Sequence, residues 1–324
     1  MSLEDAVSAL AAGEVIGLPT ETVYGLAADA GNRAAVAKIY RIKGRPADHP
    51  LIVHVLDAVQ ARKWAEWSST AQVLADAFWP GPLTVVLRRL PEAPPWACAG
   101  HPTIALRCPS HPVAREVMTK LLRLGISGIA APSANRFGRV SPTRAAHVRS
   151  DLGDEVPIVL DGGDAGVGIE STIVDLSRGR PYLLRPGHVG AEALAALLGE
   201  PVAAADDDAP KVPGSLASHY APMKPLRIVP PAQLDAAVKK AISGGDRVAV
   251  WSVKRPRARG SGSISWLARP VCAEDVERDL YRVMRELDAG SEDIILIESP
   301  PDDDAWAAVN DRLQRAAAPR QPAA

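Results

Sequence analysis

Over its first two thirds, the chain alternates short apolar, β-branched runs with stretches whose apolar positions recur every three to four residues, which predicts an α/β domain. The runs predict strands at 15–18, 51–56, 83–87, 103–107, 126–131, 158–160, 171–176 and 182–184. Asn32 reads as the cap of a helix that carries Val36, Ile39, Tyr40 and Lys43 on its repeat, and Asp57 as the cap of another. Further helices are predicted at 70–79, stopped by Pro80 and Gly81, at 111–124, ended by Gly125, and at 191–198, ended by Gly199 in a left-handed cap.

Residues 201–225 break this rhythm, being rich in Ala, Asp and Pro. They read as a linker, either an inert spacer or something more specific, given Pro213, Gly214, His219, Tyr220 and Pro222. Beyond them the pattern predicts strands at 226–229, 247–253 and 294–298 and helices at 232–242, 275–287 and 305–317. That β-α-β-α-β-α order suggests a small parallel three-layer domain, with a basic, flexible loop at 254–262. The predicted organisation is therefore 1–205, a linker at 206–225, and 226–324.

A formal net charge of −1 over 324 residues points to neither a nucleic-acid binder nor a membrane-surface protein, so any basic site must be local. Cys98, Cys108 and Cys272 form no C-x-x-C pair, which argues against a disulfide framework and a thiolate metal site. No metal-ligand set is identifiable. The N-terminus lacks a basic, apolar leader pattern and no apolar run is long enough for a membrane helix, so a cytoplasmic protein without membrane contact is expected.

No Walker A sequence is present, and no G-x-G-x-x-G joins a strand to a helix, so a nucleotide would have to be held another way. Four segments stand out. LPTETVYG at 18–25 crowds Thr20, Glu21, Thr22 and Tyr24 at a strand's end, as a ligand edge or a hydroxyl-rich turn. Lys43 and Arg45 flank a glycine past a helix, as helix-dipole partners or a phosphate clamp, and His54 lies in the apolar strand beyond. Ser133, Asn135, Gly138, Ser141 and Thr143 follow the strand ending at Ala131, as neutral donors to phosphate and ribose or as a turn and helix cap. Four glycines between 161 and 168 precede Glu170, Ser171 and Thr172, and Arg185 ends the next strand.

In their order and spacing these segments resemble the threonylcarbamoyl-AMP synthase family. The marks are PTETVYGL at 19–26, K-x-R at Lys43 and Arg45, PLIVH at 50–54 and TIALRCPSHP at 103–112. The S-x-N of Ser133 and Asn135, GIESTIVD at 168–175 and LRPG at 184–187 follow. PGSLASHYAP at 213–222, DLYRVMRELD at 279–288 and AVNDRLQRAA at 308–317 resemble the linker and added domain of the family's long form. Two residues depart from the pattern: Phe137 stands where many relatives carry a small residue, and His49 where Asn is frequent.

The resemblance implies a YrdC-like twisted mixed-sheet domain with a concave active site, a linker acting as a lid, and a C-terminal Rossmann-like three-layer α/β domain. It implies that L-threonine, bicarbonate and ATP, with Mg2+ accompanying ATP, give threonylcarbamoyl-AMP and pyrophosphate for tRNA modification. A separate tRNA threonylcarbamoyl-transferase machinery would then consume the product. Lys43 and Arg45 are the catalytic cations it implies. Arg45, His49, Thr103, Ser133, Asn135, Ser141, Arg185 and Tyr220 would serve ATP; Thr22, His54, Arg107, Ala131 (through its backbone) and Ser171 would hold L-threonine. Arg107 suits the substrate carboxylate, since its fork binds one bidentately. The alternative is an RNA-binding relative without synthase activity, with RNA held weakly on a basic surface. A carbamoyltransferase of hydrogenase maturation, which shares a related domain, is disfavoured by the scattered cysteines.

Overall fold

The computed structural model describes residues 2–214, 216–257 and 264–319. The chain forms two compact units, Met1–Phe137 with Ser141–Ser215, and Gly138–Val140 with Leu216–Ala324. Among the described residues no helix is long and apolar enough to cross a membrane.

The first unit runs α1 (Leu3–Ala11), β1 (Ile16–Leu18), β2 (Gly25–Asp29), α2 (Arg33–Lys43), β3 (Ile52–His54), α3 (Ala58–Ala61), α4 (Ser69–Phe78), β4 (Leu83–Arg88) and β5 (Thr103–Arg107). It continues with α5 (Pro112–Arg123), β6 (Ile129–Ala130), α6 (Ala145–Leu152), β7 (Thr172–Asp175), β8 (Tyr182–Arg185), α7 (Ala191–Leu198) and β9 (Ala203–Ala204). The strands make one mixed nine-stranded sheet in the order β1-β2-β6-β3-β5-β4-β7-β8-β9.

Strand alternation divides this sheet into two faces. Val53, Val85, Leu87, Ile104, Leu106 and Val174 point into the main core, which also takes Val36, Ile39 and Ile42 of α2 and Leu74 of α4. On the other face, α1 and α5 cover only the β1-β2-β6 end, through Leu10, Val117 and Leu121 against Ile16, Leu18, Ala27 and Ile129. Over β3, β5, β4 and β7 that face bears a small apolar patch of Ile52, Ala105, Val86 and Ile173, and beside it the polar residues of the candidate site.

Both expected caps form. Asn32 accepts from the N–H groups of Ala34 and Ala35, and Asp57 from that of Gln60. α1 and β2 are among the elements not anticipated. α1 is opened by a capping box between Ser2 and Asp5 and buries only Ala6, Val7 and Leu10. β2 reads GLAAD, small residues with little strand propensity, and is held by pairing with β1 and β6. Residues 158–160 are not a strand as expected; Val159 makes a single bridge to Gly17, because only Gly17 offers backbone partners there.

The second unit contains β10 (Leu226–Val229), α8 (Leu234–Ser243), β11 (Val248–Ser252), β12 (Ile264–Ala268), α9 (Ala273–Ala289), β13 (Ile294–Glu298) and α10 (Ala307–Ala317). Its four strands are all parallel, in the order β10-β13-β11-β12. α8 packs on Val248, Val250, Ile294 and Leu296, while α10 packs on β10 and α9 on α10, giving three layers. The expected three strands become four: β12 was missed because ISWLA is short and follows a polar, basic run. Of that run, residues 258–262 lie outside the described residues.

Candidate active site

The site is built on strand ends. In register, His54 of β3 and Thr84 of β4 flank Arg107 of β5, so all three share the face that the helices leave open. The Arg107 guanidinium is buried and donates three times: Nε to the Gly81 carbonyl at 3.3 Å, Nη1 to Thr22 Oγ1 at 2.7 Å and Nη2 to Glu21 Oε1 at 2.7 Å. The other Glu21 oxygen accepts from the Ser110 N–H at 3.0 Å. Burial opposes ionisation of Glu21, but the Arg107 charge and these hydrogen bonds outweigh it and hold the carboxyl below its usual range.

Thr84 Oγ1 lies 2.7 Å from Ser171 Oγ, and the Arg185 guanidinium donates to the Ser171 carbonyl from Nε (3.1 Å) and Nη2 (2.9 Å). Thr22, His54, Arg107 and Ser171, four of the residues expected to hold L-threonine, are thus one connected group. Ala131, the fifth, sits at the end of β6 with its N–H on the Ile52 carbonyl. His54 is fully buried, and burial first, then the Arg107 charge, lowers its pKa to about 3. It is a neutral imidazole, and its Nδ1 is buried without a hydrogen-bond partner.

A second group surrounds the end of α2. Gly44 terminates the helix in the left-handed conformation, φ +62°, which turns the chain so that Lys43 and Arg45 both point inward and are buried. Lys43 Nζ donates to the carbonyls of Ser133 (2.5 Å) and Asn135 (2.6 Å), and the Phe137 N–H returns to the Lys43 carbonyl. Burial, then the neighbouring Arg45 charge, depresses its pKa well below the ordinary lysine value. Lys43 therefore shapes the S-x-N loop, a task the sequence did not indicate.

Arg45 reaches the carbonyls of Pro50 and His49 and lies 5.6 Å from the Phe137 ring centroid, which the His49 ring meets edge-on at 5.5 Å. The two residues that depart from the family pattern thus touch each other. Ser141 Oγ donates to Glu170 Oε1 at 2.5 Å, immediately before Ser171.

Thr103 opens β5 and shares the face of Arg107, about 13 Å further along the strand. Tyr220 belongs to the second unit, where it is buried with φ +58° beside His219 and Tyr281. Glu21, Thr84, Glu170 and Val212 were not assigned from sequence; nothing in the spacing links residue 21 to residue 107, and only the fold joins them. Val212 lies on the Ile52, Val86, Ala105 and Ile173 patch, and Arg185 Nη1 donates to the Pro213 carbonyl at 2.9 Å. Lys211 pairs with Asp48 at 3.0 Å. The first part of the linker is therefore laid along the site face of the first unit. Among the described residues, no three His, Cys, Asp or Glu side chains are grouped to hold a metal.

A mixed sheet bearing this buried polar group beside a basic helix end defines a class. Residues 8–187 match the model of the Sua5, YciO and YrdC family, described as "Telomere recombination", and residues 189–318 match one described as the C-terminal domain of threonylcarbamoyl-AMP synthase. The chain belongs to this family, in the form that carries the Sua5 C-terminal domain. It is 38% identical to the threonylcarbamoyl-AMP synthase of Bacillus subtilis, over 98% of this chain and 93% of that one. It is 36% identical to that of Pyrococcus abyssi, over 94% and 90%. The crystal structure of P. abyssi Sua5 complexed with L-threonine matches with a TM-score of 0.88 at 34% identity, covering 97% of this chain and 94% of that one.

Proposed function

We propose that this protein is an L-threonylcarbamoyl-AMP synthase, a nucleotidyltransferase acting in the cytoplasm on L-threonine, bicarbonate and ATP. The observation that carries the reading is its match, along nearly the whole chain, to a relative crystallised with L-threonine. The arrangement of Thr22, His54, Arg107 and Ser171 supports it. The same match favours a synthase over an RNA-binding relative.

The threonine amine condenses with bicarbonate, losing water, to give a carbamate. A carbamate oxygen then attacks the α-phosphorus of ATP, and pyrophosphate leaves. The substrate supplies its own nucleophile, so the protein's work is positioning and stabilisation of negative charge. Arg107 holds the threonine carboxylate, and Thr22, His54, Ser171 and the Ala131 backbone surround the rest. Arg45, His49, Thr103, Ser133, Asn135, Ser141 and Arg185 serve the nucleotide, with Tyr220 contributed by the linker motif. Lys43 acts by ordering the S-x-N loop. Mg2+ arrives with ATP as part of the substrate. The product passes to a separate tRNA-modifying machinery.

The test is product identity. Incubation with L-threonine, MgATP and 13C-bicarbonate should yield threonylcarbamoyl-AMP one mass unit heavier than with unlabelled bicarbonate. AMP or ADP alone from folded protein would refute the reading.

A further inference from the structure

We propose that Glu21 is a positioning residue for L-threonine: its carboxylate fixes the Arg107 guanidinium so that the remaining N–H groups meet the substrate carboxylate. The inference rests on the synthase reading above and adds a residue to it.

A guanidinium has five N–H groups. Three are committed, one each to Gly81, Thr22 and Glu21. Two remain, one on each Nη, the number a carboxylate accepts when bound bidentately. Without fixed partners the guanidinium, on a long side chain, would have to be ordered by the substrate itself, and that ordering would weaken binding.

Glu21 is the partner that fixes it most firmly. Its two carboxylate oxygens bridge Arg107 Nη2 and the Ser110 N–H, and its backbone carbonyl accepts from the Val167 N–H at 2.7 Å. One residue therefore ties the PTETVYG turn, the end of β5 and the glycine-rich segment before Ser171. The pair is almost fully enclosed, with side-chain exposures of 5% for Arg107 and 13% for Glu21, so the carboxylate does not exchange freely with water.

Glu21 also balances the buried charge of Arg107 before substrate arrives. Two effects then oppose each other when Glu21 is altered. Loss of fixing weakens threonine binding, whereas loss of its negative charge strengthens the pull of Arg107 on a carboxylate. Glu21→Asp separates them. It keeps the charge but withdraws the carboxylate by about one C–C bond, roughly 1.5 Å, so it no longer spans Arg107 and Ser110.

The test uses the full chain and the KM for L-threonine, the KM for ATP and kcat from pyrophosphate release. Glu21→Asp should raise the threonine KM about tenfold, the loss of one hydrogen bond to a charged group, with the ATP KM within about twofold. On an Arg107→Lys background it should add less than about twofold, because Glu21 acts through the fork that lysine lacks. An unchanged threonine KM would overturn the proposal. So would parallel rises in both KM values, or additivity with Arg107→Lys, since either marks a general structural role. If Glu21→Asp does not fold, Glu21→Gln decides: a higher threonine KM shows that fixing dominates, and an unchanged or lower one overturns the proposal. Absence of threonine-dependent turnover in the wild-type chain would remove the synthase reading and this inference together. Wild-type turnover with an unaltered variant would remove this inference alone.

Discussion

Arg107 and His54 lie side by side in register, and the Arg107 charge adds to burial in keeping the His54 imidazole neutral. Arg107→Lys keeps the charge opposite Glu21 but loses the fork, so the threonine KM should rise at least about tenfold in a pyrophosphate-release assay. Arg107→Ala should also destabilise the fold by about 3 kcal/mol or more, because it leaves Glu21 buried and unpaired. His54 has a folded pKa of about 3 against an ordinary value of 6.5. The unfolded chain therefore binds a proton below pH 6.5 that the folded one refuses, and stability falls as the pH drops through that window towards 3. Between pH 7 and 5 this contribution is about 2 kcal/mol. Urea unfolding should accordingly show a shallower acid loss in His54→Phe than in the wild type. Phe137 sits between Arg45 and His49, so Phe137→Ala should raise the ATP KM several-fold and leave the threonine KM unchanged. Equal effects on both substrates would count against assigning that group to the nucleotide.

At the scale of elements, two glycines separate backbone strain from steric conflict. Gly44 has φ +62°, and nothing lies within 4 Å of where a Cβ would be placed. Gly44→Ala should therefore lose about 1 kcal/mol through strain alone, with a raised ATP KM as Lys43 and Arg45 shift. A Cβ on Gly187 would meet the Thr172 nitrogen at 2.4 Å and the Ser171 carbonyl carbon at 2.8 Å, both backbone atoms. Gly187→Ala should be the more damaging by a few kcal/mol in urea titration, and it should disturb Ser171 directly.

These elements also show what a sequence makes legible. The strand Thr103–Arg107 and the helix capped by Asn32 are each encoded locally, and both form as expected. β2 and β12 depend on neighbours that supply their hydrogen bonds, so composition alone conceals them. Motif residues such as Thr22, Arg107 and Ser171 could be nominated one by one, but the Glu21 to Arg107 and Thr84 to Ser171 contacts bridge more than eighty residues. The role of Lys43 was hidden likewise, because its two acceptors are backbone carbonyls ninety residues away.

At the scale of the whole molecule, the linker is the element whose role extends furthest from its sequence. Its predicted span begins at 206, yet the first unit continues to Ser215, and Val212 seals the apolar patch of the site face. A strap there would exclude water from a product that hydrolyses readily. Val212→Asp should lower the ratio of threonylcarbamoyl-AMP accumulated to pyrophosphate released, measured by chromatography of a single reaction. An unchanged ratio would deny the strap that role. The central claim, that this chain activates L-threonine with ATP, is met most directly by pyrophosphate release from the intact protein with MgATP and bicarbonate, with and without L-threonine. The account predicts release that depends on L-threonine and weakens in Arg107→Lys through the threonine KM. Release indifferent to L-threonine, or none from folded protein, would contradict it.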